Sequence, residues 1–78
     1  MPALKEASKE QIMNIELNGF KESIPDNISV STLIDLFKEG DPDLIVEING
    51  KYIFSKNYKT QMIMESDTIE FINPNLGG

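Results

Sequence analysis

The residues of this chain best suited to chemistry are its last two, Gly77 and Gly78, which close the sequence NPNLGG. The 78 residues include no cysteine and no histidine, which excludes thiolate and imidazole catalysis and leaves carboxylates, lysines, hydroxyls and main-chain groups. Because glycine lacks a Cβ, a terminal Gly-Gly pair makes a thin tail that fits a narrow channel. The terminal carboxylate is therefore the first candidate for a reacting group, and an inert, frayed chain end is the alternative.

The composition predicts a single small domain whose partners are proteins. The chain has 13 acidic residues against 7 lysines, a net charge of −6, whereas nucleic-acid binding normally needs a clustered basic surface. An acidic domain can instead dock on a basic protein surface, although the same charge also serves solubility alone. No apolar run is long enough for a membrane span and the first residues lack a secretory h-region, so we expect a cytoplasmic protein, assumed monomeric, with no membrane contact.

The spacing of apolar residues predicts a β-hairpin at the start of the domain. Residues 13–17 alternate apolar and polar side chains, as in a half-buried strand. Asn18-Gly19 is a favoured type I′ pair, and it leads into a second strand from Phe20 to Ile24 that Pro25 ends.

An amphipathic helix of about ten residues is predicted next. Its apolar stripe has the i, i+3, i+4, i+7 spacing and consists of Val30, Leu33, Ile34 and Phe37. Ser29 is the expected N-cap, and Gly40 is the expected first residue beyond the helix.

Three more strands are predicted after the helix. Residues 44–48 (LIVEI) are nearly all apolar, which is typical of a central strand buried on both faces, and Asn49-Gly50 turns the chain into KYIF. Residues 55–64 are predicted to be irregular with one helical turn, and in the last strand, DTIEFI, Glu70 points outward. The predicted core includes Met13, Ile15, Leu33, Phe37, Ile69 and Phe71.

This order of elements predicts an α+β domain, in which a mixed sheet of four to five strands packs on one main helix. Residues 1–12 are interpreted as a flexible N-terminal extension, and residues 13–72 as the folded domain. Pro74 cannot donate a hydrogen bond to a sheet, so residues 73–78 are predicted to project from the last strand as a tail.

These features, in this order and at these spacings, resemble the β-grasp, ubiquitin-like sulfur carriers, most closely those of the ThiS family. The resemblance runs from Met13 to Gly78 and rests on MNIELNGF, SVSTLIDLF, LIVEINGKYI, ESDTIEF and the closing LGG. One departure is Ser66-Asp67, where the family usually has Gly-Asp before the last strand.

The resemblance implies that the chain is a carrier and co-substrate, not an enzyme, and that it binds no cofactor itself. In such carriers a ThiF-like adenylating enzyme uses ATP and Mg²⁺ to activate the terminal carboxylate, here that of Gly78, and a sulfur donor converts it to a thiocarboxylate. The sulfur then passes to an acceptor enzyme, which in thiamine biosynthesis is a thiazole synthase. Leu76 and Gly77 are the residues that would thread the partner's site.

Three other functions fit the same tail. A MoaD-like carrier of molybdopterin synthesis would use the same carboxylate, but such tails commonly end in a Pro-Pro-Val-Ala-Gly-Gly type of sequence, and this tail has a single proline. A ubiquitin-like modifier would join the carboxylate to a lysine through an isopeptide bond. A β-grasp binding module would leave the tail unused.

The expected docking surface lies on the sheet face next to the tail. An aliphatic side chain at an outward or projecting position has little to bury in a monomer, so Ile72 and Leu76 are the best candidates for partner contacts. Met62 is a further candidate for an apolar contact, and Glu70 is expected in an acidic rim.

An acidic cluster follows the predicted helix. Its carboxylates lack the spacing of a calcium loop, so a solvated loop is predicted in place of a metal site. The cluster consists of Glu39, Asp41 and Asp43.

Overall fold

A computed structural model of the chain describes residues 11–74; residues 1–10 and 75–78 lie outside that description. The described part contains five strands, one α-helix and one 3₁₀ turn. In chain order they are β1 (Ile12–Leu17), β2 (Phe20–Pro25), α1 (Val30–Leu36), β3 (Ile45–Ile48), β4 (Lys51–Ile53), the 3₁₀ turn (Ser55–Asn57) and β5 (Thr68–Ile72). Neither helical segment of this part is long and apolar enough to cross a membrane.

The strands form one mixed sheet in the order β2-β1-β5-β3-β4. β1 runs antiparallel to β2 and parallel to β5, whereas β3 runs antiparallel to both β4 and β5. The first and last strands are therefore neighbours in the middle of the sheet. The predicted mixed sheet packed on one helix is confirmed.

The core lies between α1 and the inner face of the sheet. Its apolar side chains leave water on folding, which is the main driving force for the domain. They are Met13, Ile15, Leu17, Ile24, Val30, Leu33, Val46, Ile48, Ile63, Ile69 and Phe71. Every predicted core residue except Phe37 belongs to this set.

β3 is not the central, doubly buried strand that its composition predicts. β5 occupies the centre of the sheet, and along β3 only Val46 and Ile48 are buried, whereas Ile45 and Glu47 are half-buried. The physical reason is that α1 packs on one face of the sheet, so that alternate side chains of β3 point to the other, outer face. The apolar run therefore marks a partly exposed apolar surface.

The helix starts as predicted and ends earlier. The hydroxyl of Ser29 caps the N-terminus by accepting a hydrogen bond from the N–H of Thr32 at 3.2 Å. The helix is only 7 residues long.

The early end of α1 leaves Phe37 outside the core. Lys38 adopts a left-handed φ of 54°, and its N–H and that of Glu39 return to carbonyl groups of the last helical turn at 3.0 Å each. This pair of bonds is a Schellman motif, so Lys38 is the first residue beyond the helix and Gly40 is not. Phe37 is consequently 37% exposed, which corrects its assignment to the core.

Both Asn-Gly pairs form the predicted hairpin turns. The φ angles are 51° and 87° at Asn18 and Gly19, and 52° and 82° at Asn49 and Gly50. A type I′ turn needs positive φ at both central residues, which asparagine and glycine tolerate best. The turns thereby fix the register of the two hairpins.

The folded domain begins before Met13. Ile12 is the first residue of β1 and lies opposite Pro25, and the carbonyl of Gln11 accepts a hydrogen bond from the N–H of Asp26 at 3.1 Å. The structure therefore assigns residues 11 and 12 to the domain and not to an extension. The rest of the predicted extension, residues 1–10, lies outside the described residues.

Candidate functional site

The strand that precedes the predicted tail, β5, ends at Ile72. Asn73 and Pro74 follow it, and we call these two residues the tail root. The predicted reacting residue Gly78 lies outside the described residues, as do Leu76 and Gly77. The structure therefore defines the place from which the tail starts.

The tail root is fixed to the loop that follows α1 and carries the acidic cluster. The side-chain amide of Asn73 donates to Oε2 of Glu39 at 2.9 Å and to Oδ2 of Asp41 at 3.1 Å. Hydrogen bonds to carboxylates are stronger than those between neutral groups, and Asn73 is half-buried, so it belongs to the domain. The structure therefore assigns Asn73 to the domain and not to the predicted tail, and residues 75–78 of that tail lie outside the described residues.

These contacts also explain the acidic cluster. Glu39 and Asp41 accept hydrogen bonds from the side-chain amide of Asn73. Oδ1 of Asp41 also accepts a hydrogen bond from the N–H of Asp43 at 2.8 Å. Among residues 11–74, no group of three or more acidic side chains is placed to hold a metal ion. The loop is thus an anchor for the tail root.

A second contact holds the end of β5 from the opposite side. The N–H of Asn18 donates to the carbonyl of Ile69 at 2.9 Å, and Oδ1 of Asn18 accepts from the N–H of Phe71 at 2.8 Å. The last residue pair between β1 and β5 is Leu17 with Ile69, so Phe71 lies beyond the end of β1. The side chain of Asn18 thus continues the hydrogen bonding of β5 beyond its strand partner.

The start of β5 is fixed by a buried carboxylate. Asp67 is 8% exposed and accepts hydrogen bonds from the side-chain amide of Asn49 at 2.9 Å and from the N–H of Met64 at 2.8 Å. Oδ1 of Asn49 in turn accepts from the N–H of Thr68 at 2.9 Å. Both Asn-Gly turns therefore use their asparagine side chains to hold β5, one at each end of the strand.

An apolar patch lies on the outer face of the sheet beside the tail root. Ile45 is the cross-strand partner of Ile72, which is 38% exposed. Tyr52 and Phe54 are more than half exposed, and their rings meet edge to face with centroids 4.9 Å apart. We call Ile45, Tyr52, Phe54 and Ile72 the outer-face patch.

The register of the strands places two carboxylates on the same face. Glu47 lies opposite both Glu70 and Tyr52, so these three side chains share the outer face with the patch. The structure therefore brings the predicted contact Ile72 together with the predicted rim residue Glu70. An exposed apolar surface with an acidic border is the composition expected of a protein-docking site.

Sequence reasoning missed Ile45, Tyr52 and Phe54 as part of this site. A usable signal was present: the Asn-Gly turn places Tyr52 opposite Glu47, and strand alternation puts Phe54 on the same face. The pairing of β3 with β5, which brings them to Ile72, cannot be read from local sequence.

Met62 does not lie beside the other predicted contacts. It forms an isolated bridge with Ser29 at the N-terminus of α1, and the next residue, Ile63, bonds to the carbonyl of Ile28 at 3.0 Å. From there the chain runs parallel to β1 as far as Ile69 and continues past the end of β1 to Ile72, so Met62 and Ile72 lie at opposite ends of the sheet. Its predicted role in docking next to the tail therefore has no support from its position.

Tyr58 stabilises the segment that precedes β3. Its hydroxyl donates to the carbonyl of Leu44 at 3.2 Å, and its ring packs against the core. Burial raises the pKa of Tyr58 above its usual value, and the neighbouring Tyr52 raises that pKa further. A neutral, hydrogen-bonded phenol of this kind is a packing group.

Comparisons with known proteins agree with this architecture. A model of the ThiS family matches residues 4–78. The fold matches the crystal structure of a thiamine biosynthesis protein (ThiS) from Geobacter metallireducens with a TM-score of 0.74 and 23% sequence identity, over 85% of this chain and 100% of that chain. This match confirms the predicted β-grasp arrangement. A search among curated proteins gives no match.

Proposed function

The chain belongs to the ThiS family, and we propose that it is a sulfur carrier whose Gly78 carboxylate is adenylated and converted to a thiocarboxylate for thiazole synthesis in thiamine formation. The observation that supports this most directly is the fixed origin of the tail. β5 is the central strand, and the side chains of Asn18 and Asn73 hold its end. Four residues follow Pro74, enough to extend the carboxylate by about 13–14 Å.

The chemistry needs the carboxylate and no catalytic side chain of the carrier. A carboxylate is a poor electrophile, so an oxygen of the Gly78 carboxylate first attacks the α-phosphate of Mg²⁺-ATP in the partner, and pyrophosphate leaves. A sulfur nucleophile then attacks the carbonyl carbon of the acyl-adenylate, and AMP leaves. The product is a thiocarboxylate in which sulfur has replaced one oxygen, and the absence of cysteine and histidine from the carrier is no obstacle.

In this reaction the role of the carrier is to place the carboxyl carbon of Gly78 in the partner's active site. The reacting carbon must meet ATP inside a site that excludes water, and small errors of placement are costly because the two groups must be aligned to react. A tail that starts from a fixed root and has a fixed number of residues limits how far the terminal carboxylate can reach from the domain. Gly77 and Leu76 pass through the partner's channel, where the missing Cβ of glycine permits close backbone approach.

The outer-face patch is the proposed docking surface for a ThiF-like adenylating enzyme and for a thiazole synthase-like acceptor. It lies next to the tail root, so a partner that covers it also receives the tail. Glu47 and Glu70 would face basic residues of the partner and raise the rate of association. Met62 lies at the other end of the sheet, so this surface is built without it. The reactions would take place in the cytoplasm.

The decisive experiment is mass spectrometry of the carrier after incubation with its adenylating partner, Mg²⁺-ATP and a sulfide source. The intact chain should gain about 16 Da, and a chain without Gly78, or with one extra residue after it, should gain nothing. A shift of one residue displaces the carbon by about 3.3–3.6 Å from the ATP site, which explains the loss. The matched control is Asn75→Ala, which alters the tail and keeps its length.

Two results would contradict the proposal. If the shortened chain gains the same mass, the terminal carboxylate is not the reacting group. If the intact chain forms lysine conjugates without gaining sulfur, the ubiquitin-like modifier is the correct function. Transfer of sulfur to a molybdopterin synthase-like acceptor in preference to a thiazole synthase-like one would identify a MoaD-like carrier.

A further inference from the structure

Two asparagines of this chain stand directly before glycine, in the turns whose side chains hold β5. Of all the asparagines in the sequence, only Asn18 and Asn49 precede glycine. In an Asn-Gly pair the side-chain amide converts readily to an acid, because glycine has no side chain to shield its backbone nitrogen. Asn73, by contrast, precedes Pro74, which has no N–H to react. The two turns are therefore the candidates for deamidation.

The reaction requires water and no enzyme. The backbone nitrogen of the glycine loses its proton and attacks Cγ of the asparagine, and Nδ2 leaves as ammonia. Water then opens the resulting five-membered imide at one of its two carbonyl groups. Opening at the side-chain carbonyl gives aspartate, whereas opening at the main-chain carbonyl gives isoaspartate, in which Cβ has become part of the backbone. Either product is about 1 Da heavier than the parent chain.

The folded turns oppose this reaction to different degrees. For Cγ to reach the glycine nitrogen, the asparagine side chain must rotate out of its hydrogen bonds, so the reaction proceeds from a locally opened turn. In the described part of the chain, Asn18 makes one side-chain hydrogen bond, which its Oδ1 accepts from the N–H of Phe71. Asn49 makes two, because its Nδ2 donates to Asp67 and its Oδ1 accepts from the N–H of Thr68, each at 2.9 Å.

We propose that Asn18 is the site of deamidation in the folded protein and that Asp67 protects Asn49 from the same reaction. The Nδ2 of Asn49, which would leave as ammonia, donates to a carboxylate, and such a hydrogen bond is stronger than one between neutral groups. The single bond of Asn18 joins two neutral groups. The reactive turn is therefore the one that holds the end of β5 next to the tail root.

The two products at position 18 affect β5 differently. Aspartate keeps the backbone unchanged and retains an acceptor oxygen for the N–H of Phe71. Isoaspartate lengthens the turn by one backbone carbon and carries its carboxylate on a different atom, so neither the acceptor nor the type I′ geometry is preserved. Isoaspartate at position 18 thus releases the end of β5. This inference is independent of the sulfur-carrier proposal, because the reaction involves no partner.

The test follows deamidation of the full-length chain in mildly alkaline buffer by peptide mass spectrometry. In the folded protein Asn18 should react about tenfold faster than Asn49 or more, the difference expected from an additional hydrogen bond to a charged group. In concentrated urea both pairs belong to an unfolded chain, so the two rates should become similar. The urea sample thereby separates the effect of the fold from that of the local sequence.

Asp67→Asn tests the protection of Asn49. The change keeps the size of the buried side chain and replaces a carboxylate by a neutral amide, which is a weaker acceptor. Deamidation at Asn49 should accelerate relative to that at Asn18, which serves as the reference within the same molecules. Asp35→Asn makes the same change at an exposed position of α1 and is the matched control, with an unchanged ratio of the two rates.

Hydrogen exchange tests the consequence for β5. In aged protein, the molecules that carry isoaspartate at position 18 should exchange the N–H of Phe71 faster than unmodified molecules do. Asn18→Asp is the matched control, since it reproduces the aspartate product and should keep most of the protection.

Either of two results would overturn the proposal. One is a rate at Asn49 that equals or exceeds the rate at Asn18 in the folded chain, because Asp67 would then give no protection. The other is unchanged exchange at Phe71 in the isoaspartate-containing molecules, because the modified turn would then still hold the end of β5.

Discussion

The Oδ1 atom of Asn18 accepts a hydrogen bond from the N–H of Phe71 at 2.8 Å, which joins the turn between β1 and β2 to β5 across 53 residues. Phe71 has no strand partner on the β1 side, because the pairing of β1 and β5 ends at Leu17 and Ile69. The side chain of Asn18 therefore supplies the acceptor that a further residue of β1 would otherwise provide. The end of β5, and with it the tail root, depends on this contact.

Replacing Asn18 by glycine tests the contact. Glycine accepts the φ of 51° at this position, so the turn should persist while the N–H of Phe71 loses its acceptor. We expect a loss of about 1–2 kcal/mol in the free energy of unfolding and faster hydrogen exchange at the amide of Phe71. Asn18→Asp retains an acceptor oxygen and should keep most of the protection. Unchanged exchange in Asn18→Gly would show that the bond contributes nothing.

Asn73→Asp should release the tail root. The change replaces a donor by a third carboxylate next to Glu39 and Asp41, so an attraction becomes a repulsion. We expect slower adenylation by the partner, measured as kcat/KM for the carrier, and a lower urea midpoint because two hydrogen bonds to carboxylates are lost. Asn57→Asp makes the same charge change at an exposed position of the 3₁₀ turn and is the matched control. Equal losses in both variants would refute the role of the tail root.

The docking surface has two parts that should respond differently. Tyr52→Ser removes an exposed ring from the outer-face patch and should weaken binding to the adenylating partner by about 2 kcal/mol. Loss of its ring contact with Phe54 should lower the free energy of unfolding by about 0.5–1.5 kcal/mol. Glu70→Lys reverses a border charge and should mainly slow association and reduce its dependence on salt.

Surface plasmon resonance at several salt concentrations separates these effects. Asp35→Lys makes the same charge reversal on the exposed side of α1 and should leave association unchanged. A Glu70→Lys variant that behaves like Asp35→Lys would remove Glu70 from the interface.

Ser66→Gly should stabilise the domain. Ser66 adopts a left-handed φ of 71°, which costs a residue with a Cβ about 1–2 kcal/mol, while the larger unfolded-state entropy of glycine offsets about half of the gain. We expect a net increase of about 0.5–1 kcal/mol in the free energy of unfolding, measured by urea denaturation. Ser66→Ala keeps the Cβ and should show no such increase; an equal gain in both variants would rule out relief of backbone strain.

Alkaline pH should destabilise the domain through Tyr58. The unfolded chain ionises this phenol near pH 10.0, whereas burial holds the pKa of the folded state higher. Between the two pKa values the folded state binds more protons, so the free energy of unfolding falls as pH rises. This contribution is fully present below pH 10.0 and is lost as pH passes through the folded pKa.

Urea denaturation of Tyr58→Phe between neutral and alkaline pH measures the effect. The variant should lose about 0.5–1.5 kcal/mol at neutral pH with its hydrogen bond to Leu44, and it should show a weaker decline above pH 10. Tyr52→Phe, which removes an exposed phenol, should retain most of the decline. An identical alkaline decline in Tyr58→Phe and the unmodified chain would exclude Tyr58 as its source.

The local features of the fold were predictable because their causes are local. The Asn18-Gly19 and Asn49-Gly50 pairs specify their turns through backbone sterics, and Ser29 specifies its cap through one hydroxyl. The end of α1 was not predictable in the same way: Gly40 is the better C-terminal signal on propensity, yet the chain adopts left-handed geometry at Lys38. Two backbone hydrogen bonds there outweigh the steric cost of a Cβ.

The candidate site was predictable only in part. Ile72 and Glu70 follow from strand alternation next to the tail, whereas Tyr52 and Phe54 join them through the pairing of β3 with β5. The prediction that Met62 lies beside the tail was wrong because the sequence of the irregular segment before β5 does not show which way the chain runs there. Sequence periodicity reports which face a residue occupies, but it does not report which strands are neighbours.

The parallel pairing of β1 with β5 also determines when the protein can fold. The central strand, β5, is the last of the five strands in residues 11–74, so β1 and β3 remain without their shared partner until residues 68–72 have been synthesised. Contacts between such distant segments make folding slow, and unpaired strand edges expose incomplete chains to proteolysis. We therefore expect a polypeptide that ends within β5 to be degraded as an unfolded chain, so that folded molecules are those whose synthesis has reached the tail.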